Sequence, residues 1–197
     1  MPKLGMEPIR KAALVSATID EIGRAGSLDV TVAQIARRAG MSSALAHHYF
    51  GSKEQIFLAA MRHVLTLYGA EVRGALVAAE GPRGRLHAVV RASFAPGSFR
   101  REVIGAWLNF YVLAQTVPEA RRLLSIYQRR LRSNLVHALR PTVGARAGAL
   151  ADALGALIDG VYIREALGGG APDGAAAAQV VLDFVDAELA GRASANG

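Results

Sequence analysis

The sequence predicts an all-α protein of two modules. Three observations carry that expectation. Ala and Leu make up much of a chain that is 52% hydrophobic, Arg and Glu supply most of its charge, and runs of β-branched residues are few. Apolar positions recur at the 3.6-residue period, and prolines fall between the periodic segments rather than within them. All three lysines, Lys3, Lys11 and Lys53, lie within the first 53 residues, and every later base is arginine. A chain of 197 residues is long enough for one or two domains with a real core.

Composition also bounds the function classes. The chain lacks cysteine, which excludes disulfides and thiolate sites. It has no basic stretch followed by an apolar run and no window near the ~18 apolar residues of a membrane span, so a cytoplasmic protein without a membrane role is expected. Net charge is +7 and the isoelectric point is near 10.4, which favours an acidic polymer as partner. The charge does not locate that surface, because residues 1–63 carry eight bases against five acids and the remainder fifteen against eleven.

In chain order, residues 1–8 read as a short arm, disordered in preference to lying along a DNA backbone. Pro8 suits a first turn, and Leu14, Val15, Thr18, Ile19, Ile22 and Ala25 share one face of a helix ending near Gly26. The stretch Thr31–Lys53, TVAQIARRAGMSSALAHHYFGSK, follows. Thr31 with Gln34 forms a capping box, and Val32, Ile35, Ala36 and Ala39 make one apolar stripe. Gly40 suits the left-handed residue that stops a helix. Ser42 caps a second helix whose outward positions are Ser43, Ala44, His47 and His48. That helix is nearly free of charge, as befits one read at close range against base edges. Ser52, with Gln55 at the box position, caps a third, putting Lys53 where a phosphate would offset an unfavourable dipole. The competing reading is an αα-hairpin inside a bundle.

The Lys53 helix runs toward Ala79 with Ile56, Ala60, Val64 and Leu67 at spacings of 4, 4 and 3. Further helices are expected over 84–95, 99–114, 118–140, 145–167 and 173–189. Thr116 and Glu119 are read as a capping box, Pro141 as the end of the 118–140 helix, and Asp173 as the last cap. The tail GRASANG is expected to fray. Trp107, Phe110 and Tyr111 lie at i, i+3, i+4, with Phe94, Phe99, Tyr127 and Tyr162 elsewhere; Asp159 is a lone carboxylate in an apolar run. These residues suit either a cation-binding cage or a plain core. No catalytic constellation, metal-ligand pair or phosphate-cradling loop is present, so no enzyme, no metal and no cofactor is expected.

On Leu14-Val15, Ala17, Gly26, Thr31, Ile35-Ala36, Ala39-Gly40, His48-Tyr49-Phe50 and Lys53, the chain resembles the TetR family of transcriptional repressors. Within it, the opening MPKLGM, Ala106-Trp107-Leu108 with Phe110, Arg129-Arg130-Leu131, Ser133-Asn134-Leu135 and Ala156–Gly160 are similar to the choline-sensing repressors of glycine betaine synthesis genes. The resemblance implies a helix-turn-helix DNA-binding domain over residues 8–68, with the motif at 31–50, and a C-terminal effector-binding and dimerisation domain over 69–190. It implies a homodimer on a pseudo-palindromic operator, released by a small molecule. By position, Ser42, Ser43, Ala44, His47 and His48 would face the groove, and Thr31, Tyr49 and Lys53 would touch phosphates. The last two helices would pair between subunits through Leu154, Leu157, Ile158, Val161 and Leu182. Choline or a relative such as betaine aldehyde would be the effector, with Trp107, Phe110, Tyr111, Tyr127 and Asp159 as candidate ligands. The alternative is a repressor of an efflux or catabolic operon with another effector.

Overall fold

The computed structural model describes residues 5–190, and within them the regular structure is helical. The helices are α1 (Met6–Ala25), α2 (Val32–Arg38), α3 (Ser43–Phe50), α4 (Lys53–Val77), α5 (Gly81–Ser93), α6 (Arg101–Thr116), α7 (Pro118–Val143), α8 (Ala147–Leu167) and α9 (Gly174–Ala190), with one 3₁₀ turn at Gly144–Arg146. They group into two compact units. The first holds residues 5–66 together with Arg101–Leu123, and the second holds Leu67–Arg100 and residues 124–190. Helix α4 supplies residues to both.

The first unit is built on α1. Leu14, Ile19 and Ile22 are buried as the period requires, and Thr18 joins them because its hydroxyl donates to the Leu14 carbonyl at 2.7 Å. Ala17 completes the buried face, whereas Ala25, expected there, is exposed next to the Gly26 cap. Helix α1 begins two residues before Pro8, so part of the expected arm is helical. Helix α6 crosses α1 where Gly23 and Gly105 bring the two backbones together, and Ile104 and Phe110 are buried on it. Arg121 donates to the carbonyl of Ala114 at 3.1 Å, satisfying the end of α6 with a cation.

The expected capping box at Thr116 does not form. Pro118 takes the first helical position of α7, which makes Val117 the residue at the cap. The Thr116 hydroxyl turns back to the Leu113 carbonyl at 3.4 Å. Pro141 does not end α7 either; the helix continues to Val143. A proline there removes one hydrogen bond of the last turn, and the chain leaves by the 3₁₀ turn only after that turn is complete.

In the second unit, Leu86, Val89 and Val90 of α5, Leu135 and Leu139 of α7, Leu154 and Ile158 of α8, and Val181 and Val185 of α9 form the core. Each contributes roughly 1.5–3 kcal/mol of burial. This corrects the expectation for the subunit seam. Leu154, Ile158, Val161 and Leu182 are buried within their own chain, and Leu157 is half-buried. Asp173 caps α9 as expected, its Oδ1 accepting from the backbone amides of Ala175 and Ala176 at 3.0 Å each. The tail GRASANG lies outside the described residues.

Candidate nucleic-acid interface and aromatic cluster

The helix-turn-helix is held by local hydrogen bonds. The Thr31 hydroxyl accepts from the Gln34 amide at 3.2 Å, and the Gln34 Oε1 accepts from the Thr31 amide at 2.6 Å, closing the capping box. The Thr31 hydroxyl hydrogen also points to Gln34 Oε1, at 2.9 Å, so this side chain's first task is to position α2. Gly40, at φ +68°, ends the helix in the left-handed region. The Met41 amide donates to the Ala36 carbonyl at 2.8 Å and the Gly40 amide to Arg37 at 3.1 Å, the paired bonds of a Schellman turn. Ser42 then caps α3 by accepting from the Leu45 amide at 3.2 Å, which leaves its hydroxyl hydrogen to donate.

Helix α3 is anchored by one wholly buried residue, Ala46. On its outer side Ala44, His47 and His48 are exposed and Ser43 is half-buried. These are the four outward positions expected from sequence, and together they form a small, uncharged surface. The His47 Nδ1 lies 2.9 Å from the carbonyl oxygen of Gly51, while the His48 ring leans on Tyr49 with centroids 5.5 Å apart.

A rim of cations flanks this surface. Lys53 occupies the first turn of α4, which Ser52 caps by accepting from the Gln55 amide at 3.2 Å. Its ammonium sits 5.4 Å from the centre of the Phe57 ring, a cation–π contact that offsets the poor dipole position. Sequence reasoning missed Arg10 and Lys11. Arg10 donates to the Tyr49 hydroxyl at 3.4 Å, and Lys11 lies 5.9 Å from the centre of the same ring while pairing with Glu7 at 2.7 Å. That pairing holds the Glu7 carboxyl below its usual range. Helix α1 thus adds two cations beside Tyr49. Their spacing from α3 along the chain left no local signal for this.

The aromatic residues fall in two sets. In the first unit Trp107 makes ring contacts with Phe110 at 5.6 Å and Tyr111 at 5.7 Å, and both Trp107 and Phe110 are buried. In the second unit Tyr127 meets Tyr68 edge-on at 5.4 Å, and Phe94, Phe99 and Tyr162 meet one another at 5.0–5.6 Å. Ser93 joins the two groups. Its backbone carbonyl accepts from the Tyr162 hydroxyl at 2.7 Å, and its side chain is 3.4 Å from the Tyr68 hydroxyl. Burial pushes the Tyr68 phenol up to about 12, and the charge of Asp159 adds to the rise. Burial raises Tyr162 too, helped by Tyr68 and by Asp159. Asp159 contributes to both rises, so its carboxyl lies near the two buried phenols. Tyr127 and Asp159 were expected candidates; Tyr68 and Ser93 were not.

Among the described residues no helix is long and apolar enough to cross a membrane. Residues 14–60 match the family of bacterial regulatory proteins described as tetR, and residues 82–190 match the C-terminal domain of the BetI-type transcriptional repressor. The chain is 52% identical over 196 residues to the HTH-type transcriptional regulator BetI of Brucella suis biovar 1, covering 99% of each protein. It is 49% identical over 193 residues to the BetI regulator of Agrobacterium fabrum, covering 96% of this chain and 92% of the other. Among solved structures, a regulator from Saccharomonospora viridis in complex with choline superposes with a TM-score of 0.78 at 26% identity, over 89% of this chain and 95% of that one. These relatives are transcriptional regulators, not enzymes.

Proposed function

The chain belongs to the TetR family of bacterial transcriptional regulators and carries a BetI-type repressor domain, and from this premise we propose a dimeric, cytoplasmic repressor of choline-uptake and glycine betaine synthesis genes that choline or a related quaternary ammonium ion releases from its operator. The observation that carries the DNA-reading half is the surface of α3: Ala44, His47 and His48 exposed on a helix that Ala46 anchors, with Lys53, Arg10 and Lys11 at its rim. Small and hydrogen-bonding groups read base edges, and the flanking cations hold phosphates.

For the effector, Tyr68, Tyr127, Tyr162 and Asp159 supply the chemistry that a permanent cation needs. Each aromatic face is worth roughly 0.5–2 kcal/mol, and the carboxylate neutralises the charge. Trp107, Phe110 and Tyr111 remain candidates from the sequence. Tyr68 lies on α4, the helix that begins with Lys53 and supplies residues to both units, so α4 is the element that carries the response. Dimerisation is supported by large apolar side chains left exposed on the last two helices: Ile163, Leu167, Val180 and Phe184 are 46%, 79%, 54% and 38% exposed. These replace the buried leucines as the residues expected at a four-helix seam, and an isologous pairing makes the operator pseudo-palindromic.

The test is a mobility shift on the promoter of the protein's own operon, with and without millimolar choline. Retention of a specific complex without choline and its loss with choline is expected. A complex indifferent to choline and released by an unrelated effector would move the protein to an efflux or catabolic operon.

A further inference from the structure

The ring of His47 is held in one orientation by the backbone at the end of its own helix, and that contact fixes more than the orientation. A carbonyl oxygen only accepts, so the Nδ1 that lies 2.9 Å from the Gly51 oxygen carries the hydrogen. In a neutral imidazole the other nitrogen then has a lone pair and no hydrogen. Gly51 can take this role because it sits at φ +77°, a conformation that turns the chain out of α3 beside the fourth residue before it. Since His47 is exposed on the outer side of α3 and Nδ1 is engaged at the helix end, the edge left to meet a partner is the Nε2 edge.

We propose that His47 reads the operator as a hydrogen-bond acceptor, taking a hydrogen from the exocyclic amino group of adenine or cytosine in the major groove. This assignment rests on the reading of α3 as the base-contacting helix. The major groove offers two kinds of donor, the adenine N6 and the cytosine N4 amino groups; guanine N7 and O6 are acceptors and would face the Nε2 lone pair unfavourably. The neighbouring His48, whose ring leans on Tyr49, has no such constraint from Gly51 and is not part of the assignment.

The experiment uses the full chain and its operator at pH 8. The base pair at which His47→Ala loses sequence preference is first located by substitution, with a change on the order of 5- to 150-fold for one base contact. At that pair the amino group is then deleted, purine replacing adenine or pyrimidin-2-one replacing cytosine. A second set of duplexes carries 7-deazapurines, which lack N7. The amino deletion should weaken the native protein by the same factor as His47→Ala and should weaken His47→Ala no further, while the 7-deaza duplex should bind the native protein unchanged. Sensitivity to the 7-deaza change, with none to the amino deletion, would overturn the assignment while leaving α3 as the reading helix. A native protein with no preference for operator over random duplex would overturn the reading of the helix and the assignment together. Nitrogen-15 chemical shifts of the His47 ring supply an independent measure: a protonated Nδ1 and a bare Nε2 are expected, and the opposite tautomer would overturn the proposal without any binding measurement.

Discussion

Gly23 and Gly105 meet backbone to backbone where α1 crosses α6: a β-carbon on Gly105 would stand 3.2 Å from the Gly23 Cα, and one on Gly23 would stand 2.4 Å from both the Cα and the carbonyl oxygen of Glu102. Alanine normally gains about 1 kcal/mol over glycine inside a helix. At Gly23 that gain cannot prevail, because the atoms in the way are main chain and cannot rotate aside. Gly23→Ala should destabilise the protein by about 1–3 kcal/mol, and Gly105→Ala should be close to neutral. Thermal unfolding of the two variants checks the order; equal melting temperatures would show that the helices separate freely.

Phosphate contacts and base contacts respond differently to salt. Lys53→Ala and Arg10→Ala should each lower affinity for operator and random duplex alike, and each should reduce the slope of log affinity against log salt by about 1. Titrations between 50 and 200 mM salt, on the order used for such slopes, decide this. A slope that does not change on Arg10→Ala would confine that residue to holding Tyr49.

At the aromatic cluster, ring and hydroxyl can be told apart. Tyr162→Phe removes the hydrogen bond to the Ser93 carbonyl and should cost about 0.5–1.5 kcal/mol of stability, with choline affinity nearly kept. Tyr68→Ala should weaken choline by roughly 2- to 30-fold through loss of one aromatic face. Asp159→Asn should weaken it by at least about tenfold, as loss of a charge near a desolvated cation requires. Calorimetric titration with choline measures all three, and an Asp159→Asn protein that binds normally would remove the carboxylate from the site.

Acid stability should depend on Asp186. Arg83 at 2.9 Å and His87 at 3.2 Å tie it across α5 and α9, and the Arg83 hydrogen bond holds its carboxyl below the ordinary value of 3.8. A depressed folded value gives stability that is present above about pH 3.8 and is lost as pH falls through the lower folded value. Asp186→Asn should therefore be less stable than the native protein at neutral pH, and the difference should close toward pH 3. The pair is largely exposed, so the effect should stay within the ~0–1 kcal/mol of a surface ion pair. Urea denaturation across this range measures it.

What was legible in the sequence was what neighbouring residues decide. Thr31 with Gln34, Gly40, Ser42, Ser52 and Asp173 act within three or four positions of themselves, so spacing sufficed to find them. The box at Thr116 failed on the same local scale, because Pro118 fixed the first helical position one residue too late for Thr116 to cap it. Features joining distant segments left no periodic trace. Nothing near Gly23 announces Glu102, and nothing near Tyr49 announces Arg10. The helical period also marked Leu154, Ile158 and Leu182 as apolar without saying which apolar partner they face; their own chain covers them, and Phe184 and Val180 are the outward residues. Tyr68 went unassigned because its partners Tyr127 and Ser93 come from other helices.

The caps on α2, α3 and α4 are all hydroxyl groups, Thr31, Ser42 and Ser52, bonded to backbone amides. Neutral dipoles in contact are nearly indifferent to ionic strength, whereas the phosphate grip of Lys53 and Arg10 is not. Posture and grip therefore answer to different variables. Raising the salt loosens the hold on DNA while the shape of the reading head stays constant, so a salt titration of binding is not contaminated by partial unfolding of the motif that binds.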